Sequence, residues 1–209
     1  MPEFDILLTF ATICFMAILM PGPDVIFITS QAAFRGFKSG WLATLGVLAG
    51  LGAHIALASL GLTAIFATSI VAFEIMRWAG VAYLLYLSVK IIRTRTSAHA
   101  LTAPSANNTM RIVTQGFFTN LLNPKAVLFF LALLPQFIST QQGSVFTQTL
   151  ILGMEMLIIG AVVFSAMAYF VALSRTRVIH NSTVQRAQKW VFGSLLGGSA
   201  VWLALTENK

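Results

Sequence analysis

The sequence predicts an all-α integral membrane protein of six transmembrane helices. Three observations carry this. Of 209 residues, 57% are hydrophobic and only 9% are charged, whereas a soluble domain carries roughly 25% charged residues. The interior of a chain this short cannot hide so many apolar side chains, so the surplus must face lipid. The apolar residues also fall into six stretches, most of them near the ~20 residues a helix needs to cross a bilayer. Finally, these stretches lack the polar/apolar alternation of barrel strands, the other structure that satisfies its backbone in hydrocarbon.

The first apolar segment runs from Phe4 to Ile28 and is interrupted by Pro21-Gly22-Pro23-Asp24. The second runs from Trp41 to Ala67. The third, from Ile70 to Ile92, carries Glu74 and Arg77 at a spacing that lets them pair on one helix face. A polar stretch from Arg93 to Arg111, rich in Ser, Thr and Asn, is the one long loop. The fourth segment spans Val113 to Ile138 and is interrupted by Asn123-Pro124-Lys125. The fifth, Phe146 to Leu173, contains Glu155, and the sixth runs from Trp190 to Leu205. The breaks in the first and fourth segments leave a partly re-entrant path open.

Charge sets the orientation. Ten of the 13 basic residues lie at one side: Arg35, Lys38, Lys90, Arg93, Arg95, Arg111, Arg175, Arg177, Arg186 and Lys189. The loop from Gln136 to Gln148 has none. The basic side is expected to be cytoplasmic, which places both termini outside the cytoplasm. Basic residues confined to gaps between spans read as a topology signal, so the net charge of +7 does not imply a nucleic-acid partner. The acidic start, Met1-Pro2-Glu3-Phe4-Asp5, does not read as a secretory signal.

The two broken segments also resemble each other. At an offset of 102 residues Phe15 falls on Phe117, Leu19 on Leu121, Val25 on Val127 and Phe27 on Phe129. The two proline breaks coincide. Three helices per copy is an odd number, so the second copy enters from the opposite face. A 3+3 inverted repeat is therefore expected, with residues 1–92 and 112–209 as the copies and 93–111 as a cytoplasmic linker.

The breaks hold the first candidate site residues. Pro21 and Pro23 lack an N–H and free carbonyls near Ala17 and Leu19. Asp24 adds a charge that hydrocarbon tolerates only if it is paired or hydrated. In the second break Pro124 frees the carbonyl of Asn120, and Lys125 falls near the middle of its segment. Its ammonium could pair with Asp24 or Glu155, or receive a substrate carboxylate. Glu155 is the most clearly intramembrane carboxylate, and hydrocarbon favours its neutral form, so it is a candidate proton carrier. His54 could also exchange protons, although a lone His in a bundle often only packs and hydrogen-bonds. Gly46 and Gly50, and likewise Gly193 and Gly197, have the spacing that lets helices approach closely.

Cys14 is the single cysteine, and the chain has no metal-binding cluster, CxxC pair or GxSxG elbow. No metal, cofactor or enzymatic activity is expected.

The ordered motifs resemble those of the LysE/RhtB superfamily of bacterial amino-acid exporters, on its homoserine/threonine branch. They are Pro21-Gly22-Pro23-Asp24, Arg35-Gly36-Phe37-Lys38-Ser39-Gly40, Trp78-Ala79-Gly80-Val81-Ala82-Tyr83-Leu84-Leu85-Tyr86-Leu87, Asn123-Pro124-Lys125-Ala126-Val127-Leu128-Phe129-Phe130 and Pro135-Gln136-Phe137. The resemblance implies a plasma-membrane exporter of small amino acids or close derivatives, driven by protons. It implies that Pro21 to Asp24 and Asn123 to Lys125 line the path. The family often has Asn where this chain has Asp24, and Gly or Ala at Ser88, so an essential acid at the first motif is not a family rule. An uncoupled channel for small solutes would use the same breaks. The substrate's identity and any homo-oligomer stay open at this level.

Overall fold

The computed structural model describes residues 4–68 and 108–174, with positions 75, 78, 82, 86 and 89 between them. Every described element is helical: α1 (Phe4–Leu19), α2 (Pro23–Arg35), α3 (Phe37–Thr68), α4 (Thr109–Leu121), α5 (Pro124–Leu128) and α6 (Val145–Ser174). After α5 the chain continues as a π-helical turn (Phe129–Leu133) and a 3-10 turn (Leu134–Phe137). The expected sixth span, all but those five positions of the third, the Glu74–Arg77 pair, most of the 93–111 linker, and Gly193 and Gly197 lie outside the described residues. α4 begins at Thr109, just inside that linker.

Two helices, Phe37–Ala64 within α3 and Val145–Leu173 within α6, are long and apolar enough to cross a membrane. The α1–α2 pair, and α4 together with Lys125–Phe137, meet the same test when each is taken as one bent unit, with bends of 57° and 53°. The apolar character of α3 runs all around its axis. It buries Val47, Leu51 and Ile55, and it exposes Leu45, Leu57 and Leu60. That distribution suits a lipid surround and not water.

The first break is where proline chemistry demands it. α1 ends before Pro21, and Pro23 opens α2, where a missing N–H is harmless. The second helix starts earlier than its hydropathy suggests. Gly36, at φ 81°, makes the turn between Arg35 and Phe37 by itself. Gly40 is thus inside α3, where an added Cβ would lie 2.8 Å from the Cβ of Ala32 and 3.0 Å from that of Ala168.

Glycine sets the helix directions. A Cβ on Gly46 would strike the carbonyl of Val113 and the Cα of Gly116; one on Gly50 would meet the carbonyl of Phe117 and Asn120. Later residues of α3 thus meet later residues of α4, and the two run parallel. Against α6 the order reverses, with Gly40 at Ala168 and Ile55 at Gly153. Arg35, Arg111 and the C-terminal end of α6 therefore share one end of the bundle.

The α1–α2 pair advances along α6 without doubling back. Leu7 and Ala11 lie beside Leu150 to Ile159, Ile18 reaches Gly160, and Ala32 meets the Ala168 level. α4–α5 runs the opposite way, from Arg111 toward the end where Phe10 packs on Phe137 at 5.1 Å. Gln148 fastens the following loop to α6, donating to Ser139 O at 2.7 Å and Gly143 O at 3.1 Å. The two broken pairs are thus antiparallel, and their breaks meet inside the bundle.

Candidate functional site

Asp24 sits in the first turn of α2, where the exposed N–H groups favour a carboxylate. It is buried. Its Oδ2 accepts from Asn120 Nδ2 at 3.1 Å and from Asn123 Nδ2 at 2.7 Å. Asn123 also caps α5, its Oδ1 accepting the backbone N–H of Lys125 at 3.0 Å. The second break thus delivers two amides to the acid of the first.

The reverse contact runs through Lys125. Its Nζ donates to Ala17 O at 3.2 Å and Met20 O at 3.1 Å. Ala17 O is the carbonyl that Pro21 deprives of its helical donor. The ammonium also sits at the C-terminal end of α1, where the helix dipole favours a cation. Gly22 leaves space for it: a Cβ there would be 3.3 Å from Nζ. Of the two pairings open to Lys125, with Asp24 or Glu155, neither accounts for its hydrogen bonds, which go to carbonyls.

Pro124 similarly frees the carbonyl of Asn120. That oxygen accepts the Asn123 N–H at 2.9 Å and lies 3.3 Å from His54 Nε2. A carbonyl only accepts, so Nε2 carries the hydrogen in this contact. His54 also stacks on Phe130 of the π-helical turn, with ring centroids 5.4 Å apart. Pro21, Gly22, Pro23, Asp24, His54, Asn123, Pro124 and Lys125 therefore gather around the two breaks.

Glu155 does not join them. It is half-buried on α6 in a groove of about 540 Å³ lined by Leu7, Ala11, Leu150, Met154, Ile158 and Ile159 among others. Its Oε2 is buried without a hydrogen-bond partner.

Two polar atoms at the breaks are buried without a hydrogen-bond partner, Asp24 Oδ1 and Asn120 Oδ1. Both only accept. Two of the three Lys125 hydrogens are taken by carbonyls, leaving one donor. In charge and hydrogen-bonding capacity Asp24 complements a cationic group and Lys125 an anionic one. The sequence marks only the backbone carbonyl of Asn120, although an Asn side chain in a mostly apolar segment is itself a signal.

A protein-family model, the LysE type translocator, matches residues 15–207. The chain belongs to the LysE/RhtB superfamily. It is a multi-pass membrane transporter of a family that exports small molecules and amino acids, and not an enzyme. It is similar to the homoserine/homoserine lactone efflux protein of Salmonella typhi, with 35% identity over 150 residues, covering 72% of each chain. Similarity to the leucine efflux protein of Enterobacter sp. (strain 638) is 30% over 208 residues, 97% of each chain. An uncharacterized membrane protein of Vibrio cholerae is 30% identical over 191 residues, covering 90% of this translocator and 91% of that protein. No solved structure matches the chain. Among the described residues of the translocator, no three His, Cys, Asp or Glu side chains group as metal ligands.

Proposed function

We propose that this translocator is a secondary active exporter of small amino acids or their close derivatives, of the homoserine and threonine type, working by proton antiport across the bacterial plasma membrane. One observation carries the reading. Where the two broken helices meet, unpartnered acceptors on Asp24 and Asn120 lie in the same break region as the remaining donor of Lys125. A zwitterion complements that set: its ammonium goes to Asp24 Oδ1 and its carboxylate to Lys125. Small-molecule export is the family's business, and homoserine, homoserine lactone and leucine are named for its relatives.

The antiparallel broken pairs support two inverted three-helix copies, 1–92 and 112–209, joined by a cytoplasmic linker at 93–111. At the offset of 102 residues, Leu19 and Leu121 end matching helices, and Arg35 and Phe137 end the matching second halves. The gathering of Arg35, Arg111 and the end of α6 supports a cytoplasmic position for that face, with both termini outside. Glu155 is the proposed proton carrier: an unpartnered carboxylate oxygen in an apolar groove is free to gain and lose a proton as its exposure alternates.

Counterflow of labelled homoserine, homoserine lactone, threonine, leucine and lysine in proteoliposomes tests the reading, repeated under an imposed proton gradient. Exchange of small neutral substrates and their concentration under the gradient is the expected result. Exchange without concentration would identify an uncoupled facilitator. Absence of exchange for all five would overturn the amino-acid reading.

A further inference from the structure

Gln31 lies on α2 seven residues beyond Asp24, which is about two turns, or ~10.5 Å, along the same helix face. Its side chain is fully buried, and neither Oε1 nor Nε2 has a hydrogen-bond partner. Native proteins rarely leave a buried amide wholly unpaired, and those that do often reserve it for a ligand or water. Between the two polar residues the face carries Ile28, also fully buried. Helical side chains lean toward the N-terminus, so the Gln31 amide leans toward Asp24. Asp24 and Gln31 thus present two polar heads on one buried face of α2, with Ile28 between them.

We propose that Gln31 determines specificity by hydrogen-bonding the side-chain hydroxyl of the substrate, so that the translocator selects hydroxyl-bearing neutral amino acids over aliphatic ones. The proposal rests on the reading that the substrate ammonium docks at Asp24. An amide offers one acceptor and one donor group, and a hydroxyl both accepts and donates. A leucine side chain in the same place would leave the amide unpaired. Sites built to hydrogen-bond a group discriminate sharply against the analogue that lacks it. Both homoserine-type and leucine exporters occur among the relatives, so family membership does not choose between these classes. Gln31 does.

The test measures counterflow of labelled homoserine and leucine by the full chain in proteoliposomes. Wild type is compared with Gln31→Leu and with Gln31→Met, which keeps the length. Wild type should favour homoserine. Both variants should lower the homoserine-to-leucine ratio of kcat/KM at least tenfold, chiefly through KM for homoserine. An unchanged ratio in a variant that still exchanges would overturn the proposal. So would equal loss of both substrates in a folded variant, or misfolding of both variants, which would make the amide structural. If wild type exchanges neither substrate, the ammonium site itself is wrong and the role of Gln31 falls with it.

Discussion

The ammonium of Lys125 donates to the carbonyl of Ala17 across 108 positions of sequence, at 3.2 Å. Pro21 creates the orphan carbonyl and Lys125 satisfies it, so the second break completes the first. Lys125→Met should leave the carbonyls of Ala17 and Met20 unpaired, at a cost on the order of 2 kcal/mol. In detergent its Tm should fall by about 4–8 °C. Lys125→Gln, which keeps an N–H donor, should recover part of that loss. Equal Tm values for wild type and Lys125→Met would remove the capping role.

Glycine at the α3–α4 contact offers a second check. Gly46→Ala places a methyl group against the backbone of α4, and Gly50→Ala pushes Asn120 away from Asp24. Each should destabilise by about 1–3 kcal/mol, as overpacking does. Gly61, with nothing within 4 Å of its would-be Cβ, supplies the control. Gly61→Ala should leave Tm unchanged or slightly raised, because Ala favours the helix. Thermal unfolding of the three variants side by side decides the matter.

Much of this architecture was legible because proline has a local and inescapable consequence. Pro21 and Pro124 freed the carbonyls of Ala17 and Asn120 on sequence grounds alone. Which groups would answer them was not legible, since Lys125 and His54 arrive from other helices and only packing selects them. The start of α3 is hidden in the sequence for a related reason. Phe37-Lys38-Ser39-Gly40 reads as a loop, yet Gly36 alone turns the chain and Gly40 is needed for contact with Ala32 and Ala168. Asn120 and Gln31 passed as ordinary polar residues, because burial without a partner is a property of the fold.

Topology can be tested by single-cysteine labelling in a Cys14→Ser background. With a reagent that cannot cross the membrane, Gln141→Cys should label in intact cells and Ser97→Cys only after permeabilisation. The reverse pattern would invert the assignment.

Glu155→Gln keeps size and hydrogen bonding but cannot titrate. This variant should insert normally and exchange labelled substrate without a gradient, yet fail to concentrate it against one. Concentrative transport at the wild-type rate, with unchanged proton flux, would place the coupling proton on another group.

If the substrate's ammonium binds Asp24 where the two breaks meet, KM for labelled homoserine in counterflow must differ between wild type and Asp24→Asn. Asn can still accept the amides of Asn120 and Asn123, so Tm should stay within a few degrees. It cannot offer a charge, and charge-assisted hydrogen bonds are roughly twice as strong as neutral ones. KM should rise about tenfold, the equivalent of ~1.4 kcal/mol, with the folded protein intact. An unchanged KM in a well-folded Asp24→Asn variant would contradict it.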